Sequence, residues 1–283
     1  AGFRFLPVVD YRALGLQPCV LFIRFNKKLE RMKRENFLRW LDTVYTVYRA
    51  GLVNELEYYI ETVPPDGDVK TLERMMELLL ESGVLENFNL LEVTDGYYMP
   101  EWIRLYDFTR VCWSEAINLD IPKIPISHVN RTSNFDYIDL QLISYLEENP
   151  TVKMIDISEK LGISPQVLSY HREKHIEGGR FITGYVPFRR TRHEDMRIQI
   201  IATYRQEPVV DYLHYVIFTD GKTGYCRIHI PVNIDLSSQH PTSFTLNPLD
   251  VVRFTIPVEH YTEKKWTKLS TFAQSLEKII EVV

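Results

Sequence analysis

The sequence predicts an α+β protein in which two sheet-and-helix units flank a helix-turn-helix. Three observations carry this reading. The stretch from Phe135 to Tyr185 holds three short helical patterns separated by tight turns. The chain before it alternates strand and helix patterns in the order βαββαβ. The chain after it repeats features of the first part in shortened form.

In the first unit, Cys19 to Phe25 alternates as a strand, and an amphipathic basic helix is expected from about Leu29 to Leu41, with Met32, Phe37 and Trp40 available for a core face. Val44 to Arg49 and Glu55 to Thr62 read as paired strands around Ala50-Gly51. Pro64-Pro65-Asp66-Gly67 breaks the chain, and a second helix follows from Asp68 to Ser82, ended by Gly83, with Leu72, Met75, Met76 and Leu79 on one face. Asn87 to Val93 closes the set. The order βαββαβ is the ferredoxin-like arrangement.

Between Ile117 and Ser133 the composition turns to Pro, Ser and Asn, as in a linker. Asn134 or Asp136 then caps a helix carrying Ile138, Leu142, Ile143 and Leu146, which stops at Asn149-Pro150. A second helix is expected from Met154 to Leu161, turned by Gly162 in the left-handed conformation. Ser164 as N-cap and Pro165 at the first helical position start a third, running to about His175. Two helices joined by so short a turn make a unit whose second helix enters the DNA major groove.

Ala1-Gly2-Phe3-Arg4-Phe5 is echoed by Thr183-Gly184-Tyr185-Val186-Pro187-Phe188, and Trp102 to Phe108 by Trp266 to Phe272, sharing W-x-(R/K)-L-x-x-F. The first pair is offset by 182 positions and the second by 164, so the later copy is 18 residues shorter. That deficit implies a shorter first helix near Pro208 to His214 and a second helix replaced by the polar stretch Ser237 to Ser243. Strands are expected at Met196–Tyr204, Tyr215–Thr219, Tyr225–Val232 and Val251–Val258, with a tail helix from Lys268 to Glu281. The expected layout is a ferredoxin-like unit over 1–116, a linker over 117–133, the helix-turn-helix over 134–185, and a degenerate second unit over 186–283. Thr183 to Phe188 is the expected exit from the helix-turn-helix unit, so a chain that starts on its echo is expected to lack a first such unit upstream.

Asp136-x-x-Asp139, the run Ile157 to Ser164, and Tyr170-His171-Arg172 closed by Gly184-Tyr185 resemble the winged helix-turn-helix of Lrp/AsnC-type transcription regulators. The ferredoxin-like units resemble the ligand-sensing RAM domain of the same family. The resemblance implies duplex DNA as partner, recognition helix contacts, and pairing of sensor domains in a homodimer. Ser164, Gln166, Ser169, Tyr170, His171, Arg172 and Lys174 are the expected DNA-contacting residues, with Arg180, Arg189 and Arg190 beside them. Val167 and Leu168 are expected to pack inward. From Lys160 to Arg197 eight cations face four anions, a local +4 within a chain of formal charge −5. The first helix carries Asp136, Asp139, Glu147 and Glu148 and is expected to face away from DNA.

The family's sensor domain carries a Gly-x-x-Asp turn; the matching residues are Gly51 and Asn54. Asn cannot pair a ligand ammonium by charge, which argues against amino-acid sensing and leaves a small-molecule effector open. His171 and His175 have metal-ligand spacing on a helix, yet no carboxylate or cysteine is positioned by sequence to complete a shell, so no metal and no cofactor are expected. Three scattered cysteines, Cys19, Cys112 and Cys226, suit a cytoplasmic protein. No apolar run is long enough to span a bilayer, and no membrane partner is expected.

Two other readings stay open. A protein-interaction scaffold could dock its winged helix on the transcription apparatus. Siroheme decarboxylases resemble the same winged-helix-plus-sensor layout, but no histidine precedes His128, and no nucleophile grouping, phosphate loop or paired-carboxylate motif stands out. The chain is therefore expected not to be an enzyme.

Overall fold

The computed structural model describes residues 3–52, 54–98, 106–107, 112–113, 123–127, 134–178, 181–189, 198–204, 213–218, 224–230, 243–245 and 250–282. Strand β1 (Phe3–Val9) leads through a short 3-10 turn into β2 (Cys19–Phe25), α1 (Arg31–Asp42), β3 (Thr46–Gly51), β4 (Glu57–Thr62), α2 (Val69–Glu81) and β5 (Leu85–Glu92). Four short strands follow: β6 (Asp95–Tyr98), β7 (Tyr106–Asp107), β8 (Cys112–Trp113) and β9 (Ile124–Pro125). The three helices are α3 (Tyr137–Glu148), α4 (Met154–Leu161) and α5 (Pro165–Tyr170), the last continued by a π-helical segment over His171–Glu177. After them come β10 (Ile182–Arg189), β11 (Ile198–Tyr204), β12 (Leu213–Phe218), β13 (Gly224–Ile230), β14 (Ser243–Thr245), β15 (Val252–Arg253), β16 (Tyr261–Thr262), β17 (Lys265–Trp266) and the tail helix α6 (Ala273–Val282). The architecture is α+β with antiparallel sheets.

The two main sheets have the same strand order. The first runs β3-β4-β2-β5 and the second β12-β13-β11-β14, so each places its own second, third, first and fourth strands side by side. This is what a repeat requires. The shorter helix expected near Pro208 to His214 ends too late, because Leu213 and His214 already belong to β12. Its remainder, the polar stretch Ser237 to Ser243 up to β14, and Trp102 to Leu105 and Phe108 of the shared motif lie outside the described residues.

Each copy also lends a strand to the other. β6, which follows the first sheet, pairs with β12 of the second, Tyr97 opposite Val216. β15, which follows the second sheet, pairs with β3 of the first, Val252 opposite Arg49. The two echoing segments pair with each other as β1 and β10, Phe5 opposite Pro187. One chain thus holds two sheets of the same strand order, each extended by a strand from beyond the other.

Three expectations are corrected here. The fourth strand of the second copy is not Val251–Val258 but β14, and the expected strand is split between β15 and a turn. The stretch expected to be a linker is structured at Ile124–Pro125, which pairs with β6, and Ser127 is buried. The apolar strand residues Val20, Phe22 and Phe25, expected from the sequence to offer a sheet surface for a homodimer, are already covered in the first sheet. Phe25 lies in the main core, while Val20 is buried beside Tyr48, Ala50, Tyr59 and Val93, with Phe22, Tyr98, Ile126 and Val251 packed around them.

The opposite face of the first sheet holds the main core. Leu21, Ile23, Phe25 and Ile60 from the strands meet Phe37 and Leu41 of α1 and Leu72, Met75, Met76 and Leu79 of α2. Their spacing of three and four residues puts them on one face of each helix. Met32, expected in the core, is exposed. Among the described residues the C-terminal segment docks on this unit. Tyr45 Oη donates to Thr267 O at 2.6 Å, Trp266 Nε1 to Leu14 O at 2.7 Å and Trp40 Nε1 to Ser275 Oγ at 3.0 Å. The same core continues through Phe135, Leu140, Ile143, Ile157, Leu168 and Phe181 of the helix-turn-helix. Among the described residues no helix is long and apolar enough to cross a membrane.

Candidate nucleic-acid interface and the histidine cluster beneath it

Local chemistry fixes the helix-turn-helix. Asp136 caps α3 by accepting from the backbone N–H of Ile138 and Asp139, at 2.9 and 3.0 Å, and Asp139 returns a bond from the N–H of Asp136 at 2.9 Å. This reciprocal box satisfies three of the helix's unpaired donors. Gly162 ends α4 at φ 67°, a left-handed conformation that glycine adopts without a Cβ penalty. Ser164 caps α5, its Oγ accepting from Val167 N, with Pro165 at the first position. Ile157 and Leu168 are fully buried and hold α4 against α5.

On the recognition helix the structure sorts the expected residues. Ser164, Gln166, Tyr170 and Lys174 are exposed, Tyr170 by 55%, and Ser169 is half-buried at the rim. Val167, expected inward, is turned to solvent, while Leu168 packs inward as expected. Arg172 is half-buried and its Nε pairs with Glu177 Oε1 at 3.0 Å, so its charge is already partnered. His171 is buried at 8% exposure and bonded within the domain, which removes it from a DNA-facing surface. Arg180 and Arg190 lie outside the described residues. Arg189 is placed by its backbone opposite Phe3 in the β1–β10 ladder. Over the described recognition helix, Arg172 and Lys174 are balanced by Glu173 and Glu177.

Beneath this surface lies an arrangement that sequence spacing did not show. His171 Nδ1 stands 2.8 Å from Asp139 Oδ1 and His175 Nδ1 3.2 Å from Asp139 Oδ2. Asp136 Oδ1 is 3.8 Å from His171 Nδ1. The imidazole centroids are 4.6 Å apart, and the ring of Tyr170 lies 5.4 Å from that of His175. One ligand atom from each of the four residues falls within 4.8 Å of the others. The carboxylates thought to be missing are supplied by α3, 32 residues or more earlier in the chain. The available signal was the capping motif Asp136-x-x-Asp139, which buries Asp139 completely.

The other acids of α3 divide in the same way. Glu147 is half-buried and bonded inward: its Oε1 accepts from Tyr11 Oη at 3.0 Å and its Oε2 from Ile256 N at 2.6 Å. Burial pushes its pKa up to about 7, against the lowering effect of those two donors and of Arg253. It borders a cavity of about 100 Å³, also lined by Tyr11, Cys19, Tyr48, Glu61 and Arg253. Burial likewise pushes the Cys19 thiol up to about 12, leaving it unreactive.

Gly51 and Asn54, the candidate effector residues, are engaged elsewhere. Asn54 Oδ1 accepts from the N–H of Leu56 and Glu57, at 3.2 and 3.0 Å, closing the β3–β4 turn. Gly51 ends β3 against Asp250, whose Oδ2 lies 2.7 Å from where a Cβ would stand.

Residues 135–174 match the family model of winged helix-turn-helix DNA-binding domains, and such a domain is present here. No curated protein is similar enough in sequence to count as a relative. Two solved structures share the fold across 99% of this chain and 83% of theirs, each at 11% identity. They are the siroheme decarboxylase NirDL, with a TM-score of 0.51, and the same enzyme in complex with an iron-uroporphyrin III analogue, with a TM-score of 0.50. At that identity the likeness speaks for the fold. It also corrects the expectation that the chain is not an enzyme, because the architecture it shares is one that an enzyme uses. That expectation leaned on absent motifs and on the lack of a histidine before His128, and neither constrains what such a fold holds.

Proposed function

We propose that the chain is a transcription regulator of the Lrp/AsnC type, reading duplex DNA in a sequence-specific manner through α5 and its π-helical continuation. The observation that carries this reading is the winged helix-turn-helix match at 135–174 together with the outward set Gln166, Ser169, Tyr170 and Lys174. Gln and Ser can hydrogen-bond base edges, whereas Lys and Tyr reach phosphates. The RAM-like character of the two sheets and assembly as a homodimer in the cytoplasm belong to the same reading. Selection of bound duplexes from a random pool tests it. Enrichment of a motif that Gln166→Ala relaxes supports it, and recovery of random sequence by both proteins argues against it. Light scattering tests the dimer: a monomeric mass at tens of micromolar leaves only the internal pairing of the two copies.

A second reading is favoured by the cavity beside Glu147. Two carboxyls, a guanidinium and three phenols border one space, which suits a small polar ligand. Glu147 belongs to the first helix of the DNA-binding unit, so a ligand there would act on α3 directly. The cavity is smaller than the roughly 300 Å³ at which drug-sized sites begin, and a macrocycle does not fit it as it stands. Thermal shifts with small amines and carboxylates, compared between the chain and Arg253→Ala, test this reading; a shift lost in the variant supports it.

A further inference from the structure

We propose that Asp136, Asp139, His171 and His175 form a site for a borderline divalent transition metal of the Zn²⁺ class, pinning the recognition helix to α3. Two imidazoles and carboxylate oxygens are the donor set that such ions take, in preference to Ca²⁺ or Mg²⁺, which favour all-oxygen shells.

The geometry supports it. Bonds of about 2.0–2.1 Å in tetrahedral array place neighbouring ligand atoms about 3.3 Å apart. The separations of 2.8 Å from His171 Nδ1 to Asp139 Oδ1, 3.2 Å from His175 Nδ1 to Asp139 Oδ2 and 3.8 Å from His171 to Asp136 lie within about half an ångström of that. The four ligand atoms, all within 4.8 Å of one another, would draw together on an ion. The donors come from two elements already fixed in place. Asp139 is held by the bond from Asp136 N–H at 2.9 Å, the kind of supporting hydrogen bond that orients ligating carboxylates. His171 and His175 sit in the π-helical segment His171–Glu177. Such widened turns are uncommon and frequently mark functional sites. Here the widened turn presents both Nδ1 atoms to one carboxylate. The access route is also present: Asp136 has a half-exposed side chain and His175 is one-third exposed, whereas Asp139 is closed off.

A competing arrangement uses no metal. The two imidazoles can each donate an Nδ1–H to Asp139, which clamps the same helices. The two differ in what is measurable. Full-length chain, stripped with chelator and titrated with Zn²⁺ alone, is expected to take up one equivalent that is lost in His175→Ala. With Co²⁺ as probe, the wild-type protein should show the intense visible absorption of a tetrahedral ion, and His175→Ala should not. Asp136→Asn keeps the helix cap, because Asn serves as well as Asp there, and keeps the fold. It should bind at least about 100-fold more weakly, beyond what losing a mere supporting partner costs. Circular dichroism checks that each variant folds, and Asp136→Asn remains decisive if His175→Ala does not. Absence of stoichiometric uptake by the wild type, or equal uptake by both folded variants, overturns the proposal in favour of the proton-filled clamp. The titration contains no DNA, so its failure and the failure of the regulator reading are separate results.

Discussion

Replacing Glu147 by Gln should remove most of one segment of the protein's stability–pH profile. The folded carboxyl titrates at about 7 against an ordinary value of 4.5, with burial as the main cause. A raised folded pKa means that the native state holds the proton more tightly than the unfolded chain. Its contribution is therefore fully present below pH 4.5 and is lost as pH rises through 7. Holding the carboxyl at about 7 rather than 4.5 corresponds to about 3.4 kcal/mol. Because the carboxyl borders the cavity, we set the measurable part at about 2–3 kcal/mol. Gln keeps an acceptor for the N–H of Ile256 and an amide that can donate to Tyr11 Oη, so the packing is preserved while the titration is removed. Urea denaturation from pH 5 to 8 is the assay. The wild type should lose about 2–3 kcal/mol relative to Glu147→Gln across that range, with the two within about 1 kcal/mol at the acid end. Parallel profiles would show that Glu147 is solvated and would refute the burial argument.

Two further outcomes test the scaffold. Gly162→Ala meets no atom within 4 Å, so its cost should be the left-handed conformation alone, about 1–2 kcal/mol in chemical denaturation. Gly51→Ala would drive a methyl to 2.8 Å from Asp250 Cβ. It should destabilise by about 1–3 kcal/mol and speed hydrogen exchange at β15, where Val252 and Arg253 pair with β3; unchanged exchange there would show that Asp250 yields freely.

Much of the local structure was legible because it is written in adjacent residues. The strand Cys19–Phe25 and the helix Met154–Leu161 stand where alternation and helical spacing put them. The caps at Asp136, Gly162 and Ser164 follow from side-chain oxygens and from glycine's freedom at positive φ. The echo of Ala1 to Phe5 by Thr183 to Phe188 was legible too, and strands of the two segments pair as β1 and β10. The exchange of strands between copies was not. β15 is two residues long and β6 four, too short for a period to show, and their partners lie far away in sequence. The histidine cluster failed to show for a related reason. Asp139 reads as one acid on a solvated helix until the fold brings His171 against it. Arg172 looked like a free cation because its partner, Glu177, is a contact only once the helix forms. Val167 was misplaced because an apolar residue at the start of a recognition helix looks like core, whereas here Leu168 alone fills that role.

The central claim, that this winged helix binds duplex DNA through its recognition helix, is tested most directly by the salt dependence of binding with and without Lys174. Lys174 is exposed and carries no ion pair among the described residues, unlike Arg172. Fluorescence anisotropy with a labelled duplex, from 50 to about 200 mM salt, gives the slope of log affinity against log salt. The wild type should bind with a negative slope, and Lys174→Ala should bind more weakly with a slope smaller in magnitude by about 0.9, the value for one phosphate contact. No binding at low salt, or identical slopes for the two proteins, would contradict the account.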